Sequence, residues 1–151
     1  MIPGAGQKHV QNDKYDNEKP MSDTKSEIAA VFRTAADALR GGADATELGA
    51  LLYTPGLVVV GEGWVRAIRG FDAFKPDLAA LLEGWGPNPD LTFSIVDPVI
   101  GGGESATTLV DVFVAPKKAA DPGERYRVMY GWARTERGWR VALEMYMVGS
   151  F

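Results

Sequence analysis

The last third of the sequence carries three segments rich in β-branched and aromatic residues, at 106–114, 125–135 and 139–148. A tight Thr-Glu-Arg-Gly turn at 135–138 separates the last two segments. Runs of this kind, bounded by turn residues, are typical of an antiparallel meander. Because helical patterns precede them in the chain, the sequence predicts an α+β domain in which helices pack on one face of a sheet.

Composition limits the function classes that the chain can serve. With 151 residues, of which 46% are apolar, the chain can build one domain with a sizeable core. The formal charge of −4 and the scattered basic residues oppose binding to nucleic acid or to an anionic membrane surface. No apolar run approaches the roughly 18 residues of a membrane span. The lack of cysteine excludes thiolate chemistry and suits a reducing compartment, so we expect a cytoplasmic protein.

The N-terminal segment differs from the rest of the chain. Residues 1–20 are polar with only a scatter of apolar side chains, too few to offset the entropy of ordering the segment. His9, the only histidine, lies there and is more typical of a solvated side chain than of a general base or a ligand. We therefore expect residues 1–22 to form a flexible extension that contributes little to stability, and residues 23–151 to form the domain.

Helical patterns occupy the first part of the predicted domain. From about Asp23, apolar side chains recur at spacings of four, three and four, which predicts a first helix that ends at the two glycines 41 and 42. Asp44 or Thr46 can cap a second, shorter helix. The apolar stripe of the first helix consists of Ile28, Phe32, Ala35 and Leu39.

Two short strands and a third helix come next. A buried strand is predicted at 57–60, followed by a second short strand at about 65–69. The third helix follows Gly70, with Asp72 as its predicted cap. We place Pro76 in its first turn, because a proline deeper in a helix clashes with the carbonyl of the preceding turn.

This order of elements resembles the nuclear transport factor 2-like (NTF2-like) superfamily over residues 26–150. The residues that carry the resemblance are the Gly-Gly stop of the first helix, Leu-Leu-Tyr at 51–53 before the valines 58–60, Arg-Gly at 69–70, and Gly-Trp-Arg-Val at 138–141. The closing strand is similar to that of SnoaL-like and calcium/calmodulin kinase association-type members.

The resemblance implies three N-terminal helices packed on a curved, mixed and mainly antiparallel sheet, a cystatin-like cone around an apolar cavity. Members of the superfamily include ketosteroid isomerase, scytalone dehydratase, limonene epoxide hydrolase and polyketide cyclases, but also non-catalytic binding and oligomerisation modules. The fold alone therefore does not choose a function, and the side chains must decide.

Ketosteroid isomerase-like chemistry requires a carboxylate base near the first hairpin, with a tyrosine and a protonated acid as oxyanion donors. Matching the family's pattern puts Gly61 at the position of the base, with Glu62 one residue away, and Tyr130 near the position of the acid. The first helix, 26–40, has no tyrosine. Two of the three roles are unfilled, so the sequence disfavours this mechanism.

The other enzymes of the superfamily fit no better. Limonene epoxide hydrolase-like chemistry requires an acid two positions from an arginine on one strand, and neither Arg125 nor Arg127 is followed by an acid at that spacing. Scytalone dehydratase-like and metal-dependent chemistry require histidines, which the predicted core lacks. We therefore predict no metal site and no cofactor, and any catalysis would rest on a carboxylate.

Two carboxylates interrupt strands that otherwise look buried. Asp111 lies in the run 107–114 and Glu144 in the run 141–147. A buried carboxylate costs several kcal/mol unless it is paired, hydrogen-bonded or protonated, so each is a candidate pocket acid. The alternative for Asp111 is a place on the outer face of the sheet, or a pairing with Arg125 or Arg127 on the next strand.

Strand alternation groups the aromatic residues. If the turn at 135–138 is a three-residue loop, Thr135 opposes Trp139, Tyr130 faces Glu144 and Val128 faces Tyr146. One face then carries Tyr126, Tyr130, Trp132, Glu144 and Tyr146. A two-residue loop would shift the pairing by one and break up this group.

Three functions stay open. We favour a SnoaL-like protein that binds a small hydrophobic molecule bearing a polar group; the alternatives are a non-catalytic homo-oligomerisation module, and an isomerase or cyclase that uses Asp111 or Glu144 as acid or base. The sheet face away from the helices is expected to form a homodimer, because its apolar residues would otherwise face water. The predicted ligand-binding residues are Tyr53, Trp64, Asp111, Tyr130, Trp132, Glu144 and Tyr146.

Overall fold

The structure is a computed structural model that describes residues 21–151. Its elements are α1 (Met21–Arg40), α2 (Ala45–Leu52), β1 (Tyr53–Gly61), β2 (Ile68–Arg69), α3 (Phe71–Trp85), β3 (Leu91–Gly102), β4 (Ser105–Val114), β5 (Glu124–Thr135) and β6 (Gly138–Val148). This order confirms the predicted α+β class. Helix α1 begins two residues before the predicted domain boundary, and His9 with residues 1–20 lies outside the described part of the chain.

The six strands form one sheet in the order β2-β1-β6-β5-β4-β3. Strands β1 and β6 pair in parallel and all other neighbours pair antiparallel, so the sheet is mixed and mainly antiparallel, as predicted. Helix α1 packs along β3, and α3 packs against β1. The two sheet faces therefore differ, with an inner face toward the helices and an outer face away from them.

The predicted N-cap is observed at α2 but not at α3. Asp44 caps α2, because its side chain accepts a hydrogen bond from the Glu47 amide at 2.9 Å and the Glu47 side chain accepts one from the Asp44 amide. The predicted Asp72 cap of α3 is wrong: the N-cap is Gly70, at a positive φ of 88° that favours glycine. Pro76 lies inside α3 beyond the first turn, also against prediction. The Asp72 carbonyl that loses its bond to Pro76 belongs to an exposed residue, so water can satisfy it.

The turn between β5 and β6 is shorter than predicted, yet the predicted inner face survives. Thr135 pairs with Gly138, which leaves a two-residue loop. Ala142 is then an extra residue on β6, between the pairs Trp132↔Val141 and Gly131↔Leu143. This β-bulge shifts the register by one, so the pairs Tyr130↔Glu144 and Val128↔Tyr146 form as predicted.

A cluster of rings joins α1 to the inner face. The predicted stripe of α1 is buried, and the Phe32 ring stacks on Phe93 at 4.5 Å between centroids. The same ring meets the edges of Tyr130 and Trp132 at 5.3 and 5.1 Å. Trp132 donates its indole N–H to Thr108 Oγ1 at 2.9 Å, so this buried polar pair is satisfied. The cluster fills one end of the cone with packed side chains.

Candidate functional site

A cavity of about 330 Å³ lies between the helices and the inner face of the sheet, beyond the Phe32 cluster. Its walls come from all three helices, from the loop after β1, and from β1, β3, β4, β5 and β6. The lining residues are Leu39, Leu48, Leu52, Tyr53, Trp64, Phe74, Asp77, Leu78, Leu81, Trp85, Leu91, Phe93, Val112, Tyr126, Val128, Tyr130, Glu144 and Tyr146. The wall is thus mainly aliphatic and aromatic, with two carboxylates.

Glu144 is the buried acid of this cavity. The bulge at Ala142 turns its side chain to the inner face, where 8% of the residue is exposed. Burial raises the pKa of Glu144 from its ordinary 4.5 to about 7, and a hydrogen bond with Tyr53 lowers it in part. Its Oε2 atom is buried and has no hydrogen-bond partner among the described residues. The carboxyl group can therefore gain or lose a proton near neutral pH and has a free oxygen.

Two buried tyrosines flank this carboxyl group. Tyr53 follows directly on α2, and Tyr130 is the cross-strand neighbour of Glu144. Burial raises the pKa of each hydroxyl well above its ordinary value, and the negative charge of Glu144 raises both pKa values further. The hydroxyl groups therefore stay protonated near neutral pH; that of Tyr53 is engaged with Glu144, and that of Tyr130 can donate a hydrogen bond to a bound molecule.

Aromatic side chains surround the rest of the cavity. The Trp64 ring meets the edge of Tyr146 at 5.6 Å, and Tyr146 in turn meets Tyr126 at 6.4 Å. Trp85 donates its indole N–H to Glu124 at 2.9 Å, and the Tyr126 hydroxyl donates to the same carboxylate oxygen. These bonds hold Trp85 and Tyr126 at one wall of the cavity. Trp64 and Trp85 thus both line the cavity.

Gly61 has a packing role at the position where ketosteroid isomerase carries its base. A Cβ atom at Gly61 would lie 2.5 Å from the Trp64 ring and 2.7 Å from the Tyr146 hydroxyl. Glycine is therefore needed for these two rings to reach their places. Glu62 is exposed and accepts a hydrogen bond from the Val148 amide at 2.8 Å, so it serves as a link between the β1 end and β6 rather than as a cavity acid.

The structure separates the predicted site residues into two groups. Tyr53, Trp64, Tyr130, Glu144 and Tyr146 line the cavity, and their contact with a ligand stays a prediction. Asp111 does not line it, and its proposed role as pocket acid is wrong in position. Its cross-strand neighbour is Arg127, and its Oδ1 accepts a hydrogen bond from the Phe151 amide at 2.8 Å. Alternation along β4 buries Val110 and Val112 on the inner face, which places Asp111 on the outer face.

Trp132 is the second predicted residue outside the cavity. It is 2% exposed and packs against Phe32 in the filled end of the cone, so it is a core residue. The sequence also missed Asp77 and Trp85 as lining residues. Both belong to α3, and nothing in its sequence indicates that one face of this helix borders empty space.

Neither a metal site nor a membrane span is found in the described residues. Among them, no three His, Asp or Glu side chains come together as metal ligands would. No helix in this part of the chain combines the length and the apolar character that crossing a membrane requires.

Comparison with known proteins identifies the fold. No protein-family model and no curated protein matches the sequence. A protein with a cystatin-like fold from Nostoc punctiforme PCC 73102 superposes with a TM-score of 0.67 at 15% identity, over 87% of this chain and 95% of that one. An NTF2-like protein of unknown function from Pseudomonas putida KT2440 gives 0.64 at 17% identity, over 83% and 86% of the two chains.

An NTF2-like superfamily protein from Salmonella enterica serovar Typhimurium LT2 gives a TM-score of 0.63 at 18% identity, over 87% of this chain and 95% of that one. At such identities the likeness concerns the backbone. The chain therefore has the cystatin-like α+β fold of the NTF2-like superfamily.

Proposed function

We propose that this chain binds a small hydrophobic molecule in the cavity and holds a polar group of that molecule with Glu144. The observation that carries the proposal is the buried Glu144 Oε2, which has no hydrogen-bond partner among the described residues. Leaving such a group unsatisfied costs about 1–3 kcal/mol, so a ligand that supplies the partner is favoured at this point. The apolar walls and the cavity volume of about 330 Å³ suit a small ring-bearing compound.

Binding can be tested with a panel of steroids, aromatic polyketides and terpenoids, read out as the melting temperature. A ligand that binds only the folded state stabilises it by about 2.7 kcal/mol at a hundred times its Kd. The proposal requires that at least one compound class raises the melting temperature. No shift across the whole panel would contradict it.

Filling the cavity should abolish this stabilisation. Val112 lines the cavity wall on β4, so in Val112→Phe the added ring enters the empty volume. We expect the variant to fold and to lose the ligand-induced rise in melting temperature. Ile100→Phe, at a 61% exposed position of β3 that does not line the cavity, is the control and should keep the full rise. Equal responses of the two variants would place the ligand outside the cavity.

An isomerase or cyclase is the second candidate function. It is favoured by the pKa of about 7 at Glu144, since a general acid or base works best when its pKa lies near the working pH. In this case the same compounds should be converted by the wild-type chain, and Glu144→Gln should bind them without conversion. Conversion that survives this substitution would remove Glu144 from the reaction.

We also propose that the outer face pairs with a second copy of this chain. Met145 and Met147 are each 39% exposed on this face. The face also carries a negative and a positive side chain, Asp111 and Arg127, so two copies of the face are complementary in charge. The Nε atom of Arg127 is buried and has no partner among the described residues. Light scattering at micromolar concentration should give twice the chain mass of 16.3 kDa. The mass of one chain would contradict the dimer and also the oligomerisation-module alternative.

A further inference from the structure

The charges that line the cavity are of one sign. Glu144 lies buried in the wall, and Asp77 contributes a second carboxylate from α3. Among the described residues, no lysine, arginine or histidine lines the cavity. A carboxylate or phosphate ligand would thus lose its hydration without gaining a positive partner, and Glu144 would repel it whenever its carboxyl group is charged. The cavity therefore disfavours anionic ligands.

The surroundings of Glu144 suit a positive charge. The tyrosine rings of Tyr53, Tyr130 and Tyr146 lie near its carboxyl group, close enough for its charge to raise the pKa of each hydroxyl. Trp64 packs against Tyr146 at the same wall. A buried carboxylate with an unpartnered oxygen, in a cavity that no lysine, arginine or histidine of the described residues lines, has the elements of a site for an organic ammonium group.

We propose that the ligand of this cavity is a hydrophobic amine, whose ammonium group donates to Glu144 Oε2 while its apolar part lies against the aliphatic and aromatic walls. This inference rests on the proposed function and names the polar group. A neutral alcohol or ketone could also contact Glu144, but it has no positive charge that the carboxylates of Glu144 and Asp77 could attract. An ammonium group forms a charge-assisted bond with the carboxylate, which is about twice as strong as a neutral one.

The pH dependence of binding separates an amine from a neutral ligand. The titratable groups that interact with Glu144 are the hydroxyls of Tyr53, Tyr130 and Tyr146, and Asp77 also lines the cavity. The other walls, from α1, α2, β3 and β4, contribute only apolar side chains to the cavity. Between pH 6 and pH 8 the main change is thus the ionisation of Glu144. An amine should bind more tightly as Glu144 becomes charged, and a neutral hydrogen-bond acceptor should bind more tightly as it becomes protonated.

The test uses three probes with the same ring system: 1-naphthylmethylamine, 1-naphthalenemethanol and the 1-naphthaleneacetate anion. Each is titrated calorimetrically into the full chain at pH 6 and pH 8. We expect the amine at pH 8 to bind about tenfold more tightly than the alcohol, and the acetate to bind most weakly. With the pKa of Glu144 at about 7, the amine affinity should fall about tenfold at pH 6. Glu144→Gln should remove both the preference and the pH dependence.

The possible results separate this inference from the proposed function. An alcohol that binds as tightly as the amine, or an amine affinity that rises toward pH 6, overturns the amine assignment but leaves a ligand-binding cavity. Binding of none of the three probes also overturns it, and the proposed function then depends on the wider panel alone. The two wild-type comparisons need no variant, so the inference stays testable if Glu144→Gln fails to fold.

Discussion

Glu144→Gln is expected to favour the folded protein more at pH 8 than at pH 4. The change that it causes in the free energy of unfolding should be more stabilising at pH 8 by up to about 3 kcal/mol. The pKa of Glu144 is raised from 4.5 to about 7 in the folded state, because burial disfavours its charged form. Below pH 4.5 both states hold the proton. As pH rises from 4.5 through 7, the unfolded chain releases the proton first, so the wild-type protein loses stability; glutamine does not titrate and shows no such loss.

The magnitude follows from the difference between the two pKa values, at about 1.4 kcal/mol for each pKa unit. Chemical denaturation at the two pH values measures it, and comparison across pH cancels the change in hydrogen bonding that glutamine brings. Glu136→Gln, in the exposed β5–β6 turn, is the matched control and should change stability equally at both pH values. A Glu144→Gln effect that is the same at pH 4 and pH 8 would show that the carboxyl group is not desolvated.

Phe32→Ala is expected to lower the free energy of unfolding by about 3–5 kcal/mol, the range for removing a large ring from a core. Phe32 is 2% exposed and contacts the rings of Phe93 on β3 and of Tyr130 and Trp132 on β5, so its loss leaves a void between α1 and the inner face of the sheet. Equilibrium denaturation measures the loss. Phe151→Ala removes a ring that is 50% exposed and should change stability by less than about 0.5 kcal/mol. Similar losses in the two variants would contradict the packing described for α1.

Sequence patterns predicted the elements well where burial follows a simple period. The α1 stripe was correct because a helix buries every third or fourth residue, and the spacing from Ile28 to Leu39 reports that period directly. The pairing of Tyr130 with Glu144 was also correct, although the turn was not. The shorter turn and the bulge at Ala142 shift the register in opposite directions, and no residue type in β6 signals a bulge.

The candidate site was only partly predictable. In β4, every position of 109–114 except Asp111 is apolar, so the sequence did not indicate whether Asp111 lies on the inner or the outer face. Trp132 shares the inner face with Tyr130 but lies under α1, where the cone is filled. Whether an inward residue meets another side chain or an empty space depends on how helices and sheet fit in three dimensions. Periodicity in the sequence carries no such information, which is why Asp77 and Trp85 were missed.

The most direct test of the account is the pH titration of the Glu144 carboxyl carbon by NMR, with and without 1-naphthylmethylamine. We expect a midpoint near pH 7 in the free protein, because the carboxyl group is buried in the cavity wall. We also expect the midpoint to fall when the amine is added, since an ammonium group favours the charged form. The Asp111 signal, from the outer face, should not respond to the amine. A Glu144 midpoint near 4.5 that the amine leaves unchanged would contradict the account.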